Sequence, residues 1–145
     1  MKFMLLLKGD APADPTGNAQ PPQELIGAML KYDEEMHRAG VLLAAEGLLP
    51  SVAGSRVVYS SGKRTVIDGP FTEAKELIAG FYLIQVRSRE EAIEWARRCP
   101  MELAVQGDEV AVVEVRQVAE AADLEAMTAE QRATEQRLRD QLARS

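Results

Sequence analysis

The sequence predicts an α+β fold of ferredoxin-like layout: a mainly antiparallel sheet with helices on one face, plus a C-terminal helical extension. Three observations predict it. The segments run strand, helix, strand and hairpin, strand, helix, strand. The two helix-length stretches are apolar along one arc only, so each has a single face to bury. The strand segments 3–7, 81–84 and 110–113 are apolar at successive positions rather than alternate ones. Both faces of the sheet therefore need cover, and two helices supply only one. A second copy packing sheet to sheet is the simplest cover for the other, so the pattern predicts a homodimer.

Each element has its own signal. Residues 3–7 form an apolar block, followed by a turn-rich stretch from 9 to 22 that carries Pro12, Pro15, Gly17, Pro21 and Pro22. A helix is expected from Gln23 to about Ala39, with Gly40 as its stop. On a helical wheel Leu25, Ile26, Met29, Leu30, Tyr32, Met36 and His37 share one arc, and Asp33 falls inside it. Residues 41–48 read as the second strand, ended by Pro50. Segments 56–60 and 64–67 read as a hairpin turning through Ser60-Ser61-Gly62-Lys63. Residues 81–86 are the next strand. Ser88 with Glu91 three residues on is a capping-box signature for a second helix, whose apolar face holds Ala92, Ile93, Trp95, Ala96 and Cys99. Residues 110–115 are the last strand of a domain spanning 1–118. The tail, 119–145, reads as a separate helix with a capping box at Thr128 and Gln131 and a thin stripe of Leu124, Met127, Leu138 and Leu142. Glu135–Arg139 and Asp140–Arg144 are spaced to pair along it.

The totals exclude several functions. A chain of 145 residues carrying a net charge of −6 lacks the basic surface that displaces counterions from phosphates, so direct nucleic-acid binding is not expected. A single cysteine, Cys99, cannot form an intrachain disulfide, which suits a reducing cytoplasm. The apolar run at the N-terminus is too short for a secretory h-region, and nothing approaches the ~20 apolar residues of a membrane span. One histidine cannot build a two-histidine metal site, and no nucleotide-binding glycine motif is present, so no metal or other cofactor is expected.

The candidates for chemistry are few. Asp33 on an apolar arc must be paired, solvated or protonated. His37 lies one turn further on, so the two could form a helix-end ion pair or an acid/base pair opening on a pocket. Glu46 shares a strand face with Leu42, Ala44 and Leu48. A cross-strand Arg56 or Arg64 could satisfy it, or it could line a pocket at the dimer. Cys99, at a helix C-terminus, reads as core rather than nucleophile. The most distinctive stretch is Asp68-Gly69-Pro70-Phe71-Thr72-Glu73-Ala74-Lys75-Glu76, a rigid turn. It serves either as structure alone or as a pocket rim on which Asp68, Phe71, Lys75 and Glu76 meet a small polar ligand.

That stretch, with Gly80-Phe81-Tyr82 after it, resembles the YCII-related family in its DGPF-domain branch, named for these four residues. Ala39-Gly40-Val41, Glu46-Gly47-Leu48, Glu91-Ala92-Ile93-Glu94-Trp95-Ala96, Cys99-Pro100 and Glu114-Val115-Arg116 extend the resemblance over residues 1–118. It implies a ferredoxin-like fold of the dimeric α/β-barrel type. The better-studied branch of that family carries a His–Asp pair in the first helix, and some members act on small aromatic or lactone-like compounds. This chain departs there: Gly27-Ala28-Met29 hold the middle of the helix, and Asp33 and His37 stand elsewhere and in reverse order. The branch also occurs beside or fused to sigma factors, which implies a link to transcription initiation. Two functions follow as expectations. One is a small-molecule binder or cofactorless enzyme using Asp33, His37, Glu46 and Lys75 between helix, sheet and the 68–80 loop. The other is a regulatory dimer contacting a sigma factor or another protein.

Overall fold

The computed structural model describes residues 1–11, 21–105 and 108–145. Most of the proline-rich stretch expected after the first strand lies outside them. The elements are β1 (Lys2–Lys8), α1 (Gln23–Arg38), β2 (Leu42–Gly47), β3 (Ser55–Ser60), β4 (Lys63–Asp68), β5 (Ile78–Gln85), α2 (Arg89–Arg97), β6 (Val113–Gln117) and α3 (Ala129–Ala143). The main sheet runs β2-β5-β1-β6 with every neighbouring pair antiparallel. This is the ferredoxin-like order, with the β3–β4 hairpin inserted as a separate two-stranded sheet.

Register decides which side chains meet the helices. Phe3 pairs with Ile84, Leu5 with Tyr82 and Val115, and Leu7 with Gly80 and Val113. Side chains alternate faces along a strand, so these residues share one face. There Phe3, Leu5, Tyr82 and Ile84 are buried against Tyr32 and Met36 of α1 and Ala92 and Trp95 of α2. Burying each such large apolar side chain contributes roughly 1.5–3 kcal/mol. Met4, Leu6, Phe81 and Leu83 lie on the opposite face, and none of them is buried.

Local signals explain the element ends. Gly40 adopts φ +74 and ends the chain's course along α1, a conformation that glycine takes without a Cβ clash. Ser61 and Gly62 both have positive φ, the tight-turn geometry whose twist matches two antiparallel strands. Ser88 Oγ accepts from the Glu91 amide at 3.1 Å, while the Glu91 carboxylate accepts from the Arg87 amide at 2.9 Å, one residue earlier than the reciprocal box requires. At the start of α3 the box is complete, with Thr128 and Gln131 each bonding the other's backbone. Glu135 pairs with Arg139 as expected. Arg144 instead donates to the Asp140 backbone carbonyl at 3.2 Å, and the Asp140 carboxylate accepts from Gln136 at 3.0 Å.

Two expectations need correction. The last strand begins at Val113 rather than 110, and Val110 is 82% exposed. The cause is in β1, which ends at Lys8; Gly9 at φ +118 turns the chain to bond Leu77, leaving residues 110 and 111 no strand to pair with. On α1, the buried face is narrower than the apolar arc that the sequence predicts. Tyr32 and Met36 are buried, but Leu30 is 58% exposed and His37 is on the surface. No described helix is long and apolar enough to cross a membrane.

Candidate functional site

Helix α1 does not lie flat against the sheet along its whole length. Between it and the β2–β5 side lies a cleft of about 320 Å³, at the small end of the ~300–1,000 Å³ range of ligand sites. Leu7, Leu25, Ile26, Met29 and Leu30 give it apolar walls. Asp33 and Tyr82 supply its polar floor, where the Tyr82 hydroxyl donates to Asp33 Oδ1 at 2.6 Å. Asp33 Oδ2 has no protein partner among the described residues. A second cleft of about 400 Å³ shares Leu7, Leu25 and Met29 with the first and continues it toward Gly9 and Leu48.

Aromatic packing fixes the pair. The Tyr32 and Tyr82 rings meet edge to face with centroids 5.3 Å apart, and Tyr32 meets Trp95 the same way at 6.2 Å. Such contacts add about 0.5–1.5 kcal/mol each beyond area burial. The Tyr32 hydroxyl donates to the Trp95 carbonyl at 2.6 Å, so neither phenol is left unsatisfied. Burial pushes the Tyr82 phenol far above the ordinary tyrosine range, helped by its bond to Asp33 and by that residue's charge. Tyr82 is therefore a committed donor. Burial, then the Cys99 and Asp33 charges, push Tyr32 up likewise, against a smaller opposing effect of Arg98. Arg98 is engaged elsewhere, paired with Glu35 at 3.1 Å and stacked over the Trp95 ring at 4.2 Å.

The structure distributes the expected site residues over several places. Asp33 reaches the cleft, and its partner is a tyrosine hydroxyl rather than a cation. His37 stands on the surface, and no hydrogen bond or ion pair joins it to Asp33 among the described residues. Glu46 contributes to the cleft wall. Its place opposite Phe81 sets its side chain on the other sheet face from Tyr82. Neither expected arginine pairs with it: Arg56 pairs with Glu76 at 3.5 Å and stacks over Phe71 at 3.9 Å, and Arg64 lies over Tyr59 at 5.2 Å. The hairpin that carries both arginines has no ladder with β2, so no cross-strand neighbour exists there.

The 68–76 loop bounds a separate groove of about 440 Å³ that includes Arg56, Phe71 and Glu76. Asp68 and Lys75 do not line it. The Asp68 carboxylate accepts from Ser55 Oγ at 2.7 Å, and Lys75 is exposed in a short 3-10 turn. Ser51 ties the loop down, accepting from the Phe71 amide at 3.0 Å while its own amide and hydroxyl donate to the two Asp10 carboxylate oxygens at 2.7 and 2.5 Å. Among the described residues no group of three or more His, Cys, Asp or Glu could hold a metal ion. Cys99 is buried, and burial first, then Glu102 and Asp33, push its thiol up to about 12. The expected poor nucleophile is explained by desolvation more than by the helix end.

The profile of the YCII-related domain matches residues 1–119. This chain belongs to the YCII-related family. It is also 40% identical over 75 residues to an uncharacterized protein of Rhizobium meliloti (strain 1021). That match covers 52% of this chain and 57% of the relative, so the chain spans a little over half the length of the curated protein it matches. Within the YCII-related domain, Asp33 and Tyr82 come together from α1 and β5. Reading the sequence alone misses Tyr82 as a site residue. Its signal was the Gly80-Phe81-Tyr82 run, in which alternation turns the tyrosine toward the helices and the phenylalanine away.

Proposed function

We propose that this YCII-related chain, a member of the DGPF branch, is a small-molecule-binding domain. Its ligand sits in the α1–sheet cleft, with Asp33 accepting a hydrogen bond or a proton from it. The Asp33–Tyr82 pair carries the reading. A carboxylate bonded to a buried phenol through one oxygen, with its second oxygen unpartnered among the described residues and the residue lining an apolar cleft, is the arrangement a binding or proton-transfer site needs. Ligand-observed NMR with a library of small polar and aromatic molecules tests it. Binders should lose at least about tenfold in affinity in Asp33→Asn, the usual scale for one charge-assisted hydrogen bond. Binders indifferent to that change, or none at all, would sink the reading.

The functional unit in this reading is a homodimer packed sheet to sheet. Met4, Leu6, Phe81 and Leu83 form a continuous apolar row on the face away from the helices, and charge introduced there would be costly to bury. Sedimentation equilibrium should show a dimer that Leu6→Glu converts to a folded monomer. A wild-type monomer at micromolar concentration would refute the assembly. A second reading, an interaction module for a sigma factor or other protein, has one observation in its favour. The β3–β4 hairpin exposes Val57, Val58, Tyr59, Val66 and Ile67, with Tyr59 at 70%, and a lone two-stranded sheet is marginal without a partner. Capture of a purified sigma factor by wild type and not by Tyr59→Ser would favour it; equal capture would not.

A further inference from the structure

We infer that the α1–sheet cleft selects a small amine, a positive charge on an apolar body, over the matching carboxylate. This rests on the cleft being a ligand site. Among the described residues the charged ones in its lining are Asp33 and Glu46, the latter with its side chain set on the other sheet face, and no lysine, arginine or histidine joins them. Lys8 lines the adjoining cleft, where Asp10 and Glu109 accompany it. Among the described residues the lining of the α1–sheet cleft also holds no serine, threonine, asparagine or glutamine. Its one hydroxyl belongs to Tyr82 and already donates to Asp33. A bound carboxylate would thus leave water for a site with no free side-chain donor and with a carboxylate beside it, two unfavourable effects of the same sign.

A cation meets the opposite situation. Asp33 Oδ2 has no partner among the described residues, and an ammonium group brings three donors to it. Arg98, whose charge acts on the neighbouring Tyr32, is held by Glu35 and by the Trp95 ring. The N-terminus of α1 favours an anion, but it lies at the Leu25 end of the cleft, and Glu24 already sits in that first turn. The apolar walls then suit a hydrocarbon or aromatic body.

Benzylamine, benzyl alcohol and benzoate, alike in size and different in charge, form the test. Their affinities for the full chain are measured by isothermal titration at neutral pH in low salt and again in 0.5 M NaCl. Benzylamine should bind about tenfold or more tighter than benzoate, and screening should narrow that gap at high salt. In Asp33→Asn the amine should fall to the level of the alcohol, and circular dichroism establishes that the variant is folded. If that variant does not fold, the salt dependence of the wild-type gap still decides. Equal binding of all three, or tighter binding of benzoate, overturns the charge selection and leaves the cleft as a ligand site. Binding of none, even at millimolar concentration, overturns the site and the selection together.

Discussion

Replacing Gly69 by alanine is expected to destabilise the protein by about 2–4 kcal/mol, far more than the exposed position of its loop suggests. A Cβ built on Gly69 would stand 1.9 Å from the Ser51 carbonyl oxygen and 2.7 Å from its carbonyl carbon. Both are backbone atoms, so no rotamer change relieves the clash and the two loops must part by well over an ångström. That movement breaks the bonds that hold them: the Gly69 amide to the Gly54 carbonyl at 2.9 Å and the Phe71 amide to Ser51 Oγ at 3.0 Å. Each is worth about 1 kcal/mol net, and Phe71 loses its seat beneath Arg56. Gly62 is the control. It has φ +75 but open space where a Cβ would stand, so Gly62→Ala should cost only about 1 kcal/mol of backbone strain. Urea unfolding of the two variants checks both. A Gly69→Ala midpoint matching the wild type within about 0.5 kcal/mol would contradict the close approach. Ligand binding in the α1–sheet cleft should persist in Gly69→Ala, because that cleft is lined by other residues.

This separation of loop from cleft is the part of the site that the sequence could not convey. A residue's chemistry and its place in one element can be read locally, whereas pocket membership depends on register between elements. Asp33 was legible because a carboxylate on an apolar arc demands a partner wherever the helix docks. Its partner was not, since Tyr82 is 49 residues away and only the pairing of β5 with β1 and β2 brings it beneath α1. An Arg56 or Arg64 partner for Glu46 would require the hairpin to pair with β2. The hairpin instead forms a sheet of its own, and Arg56 turns to Phe71 and Glu76. His37 falls on the apolar arc of an ideal wheel, but the face of α1 that meets the core is Tyr32 and Met36 with Met29 packed beside them, and His37 lies outside it.

The fold itself was far more legible, for a physical reason. Strand, helix and turn signals are local: Ser88 beside its helix, Gly40 past the end of α1, Ser61 and Gly62 at the hairpin tip. The chain order of those signals leaves few sheets that bury both amphipathic helices with right-handed crossovers. The departure from expectation comes where a non-local event sets an element's end, as at residues 110 and 111, which have no strand opposite once Gly9 turns β1 away.

Stability should collapse in alkali, beginning near pH 9 and steepening above pH 10. Cys99, Tyr32 and Tyr82 all hold their protons in the folded chain beyond their ordinary values of about 9 and 10, chiefly because burial opposes the charged form. Below pH 9 both folded and unfolded chains are protonated and the full stability is present. Above it the unfolded chain loses protons that the folded chain keeps, so stability falls as pH rises, by about 1.4 kcal/mol per pH unit for each such group. The Cys99 contribution runs from 9 to about 12, and above pH 10 both tyrosines join it. Three groups together remove on the order of 4 kcal/mol per unit, enough to exhaust a typical 5–15 kcal/mol within a few pH units. Urea midpoints at pH 8, 9.5 and 10.5 should therefore drop in widening steps. In Cys99→Ala the cavity cost is the same at every pH, so the first step, between 8 and 9.5, should nearly vanish and the later one should shrink to the share of the two tyrosines. In Tyr82→Phe the later step should shrink. Constant midpoints through pH 10.5 would mean that the two phenols and the thiol are reached by water in the folded state. The Asp33–Tyr82 pair would then be solvated too, and the cleft would lose the dry floor on which its proposed chemistry depends.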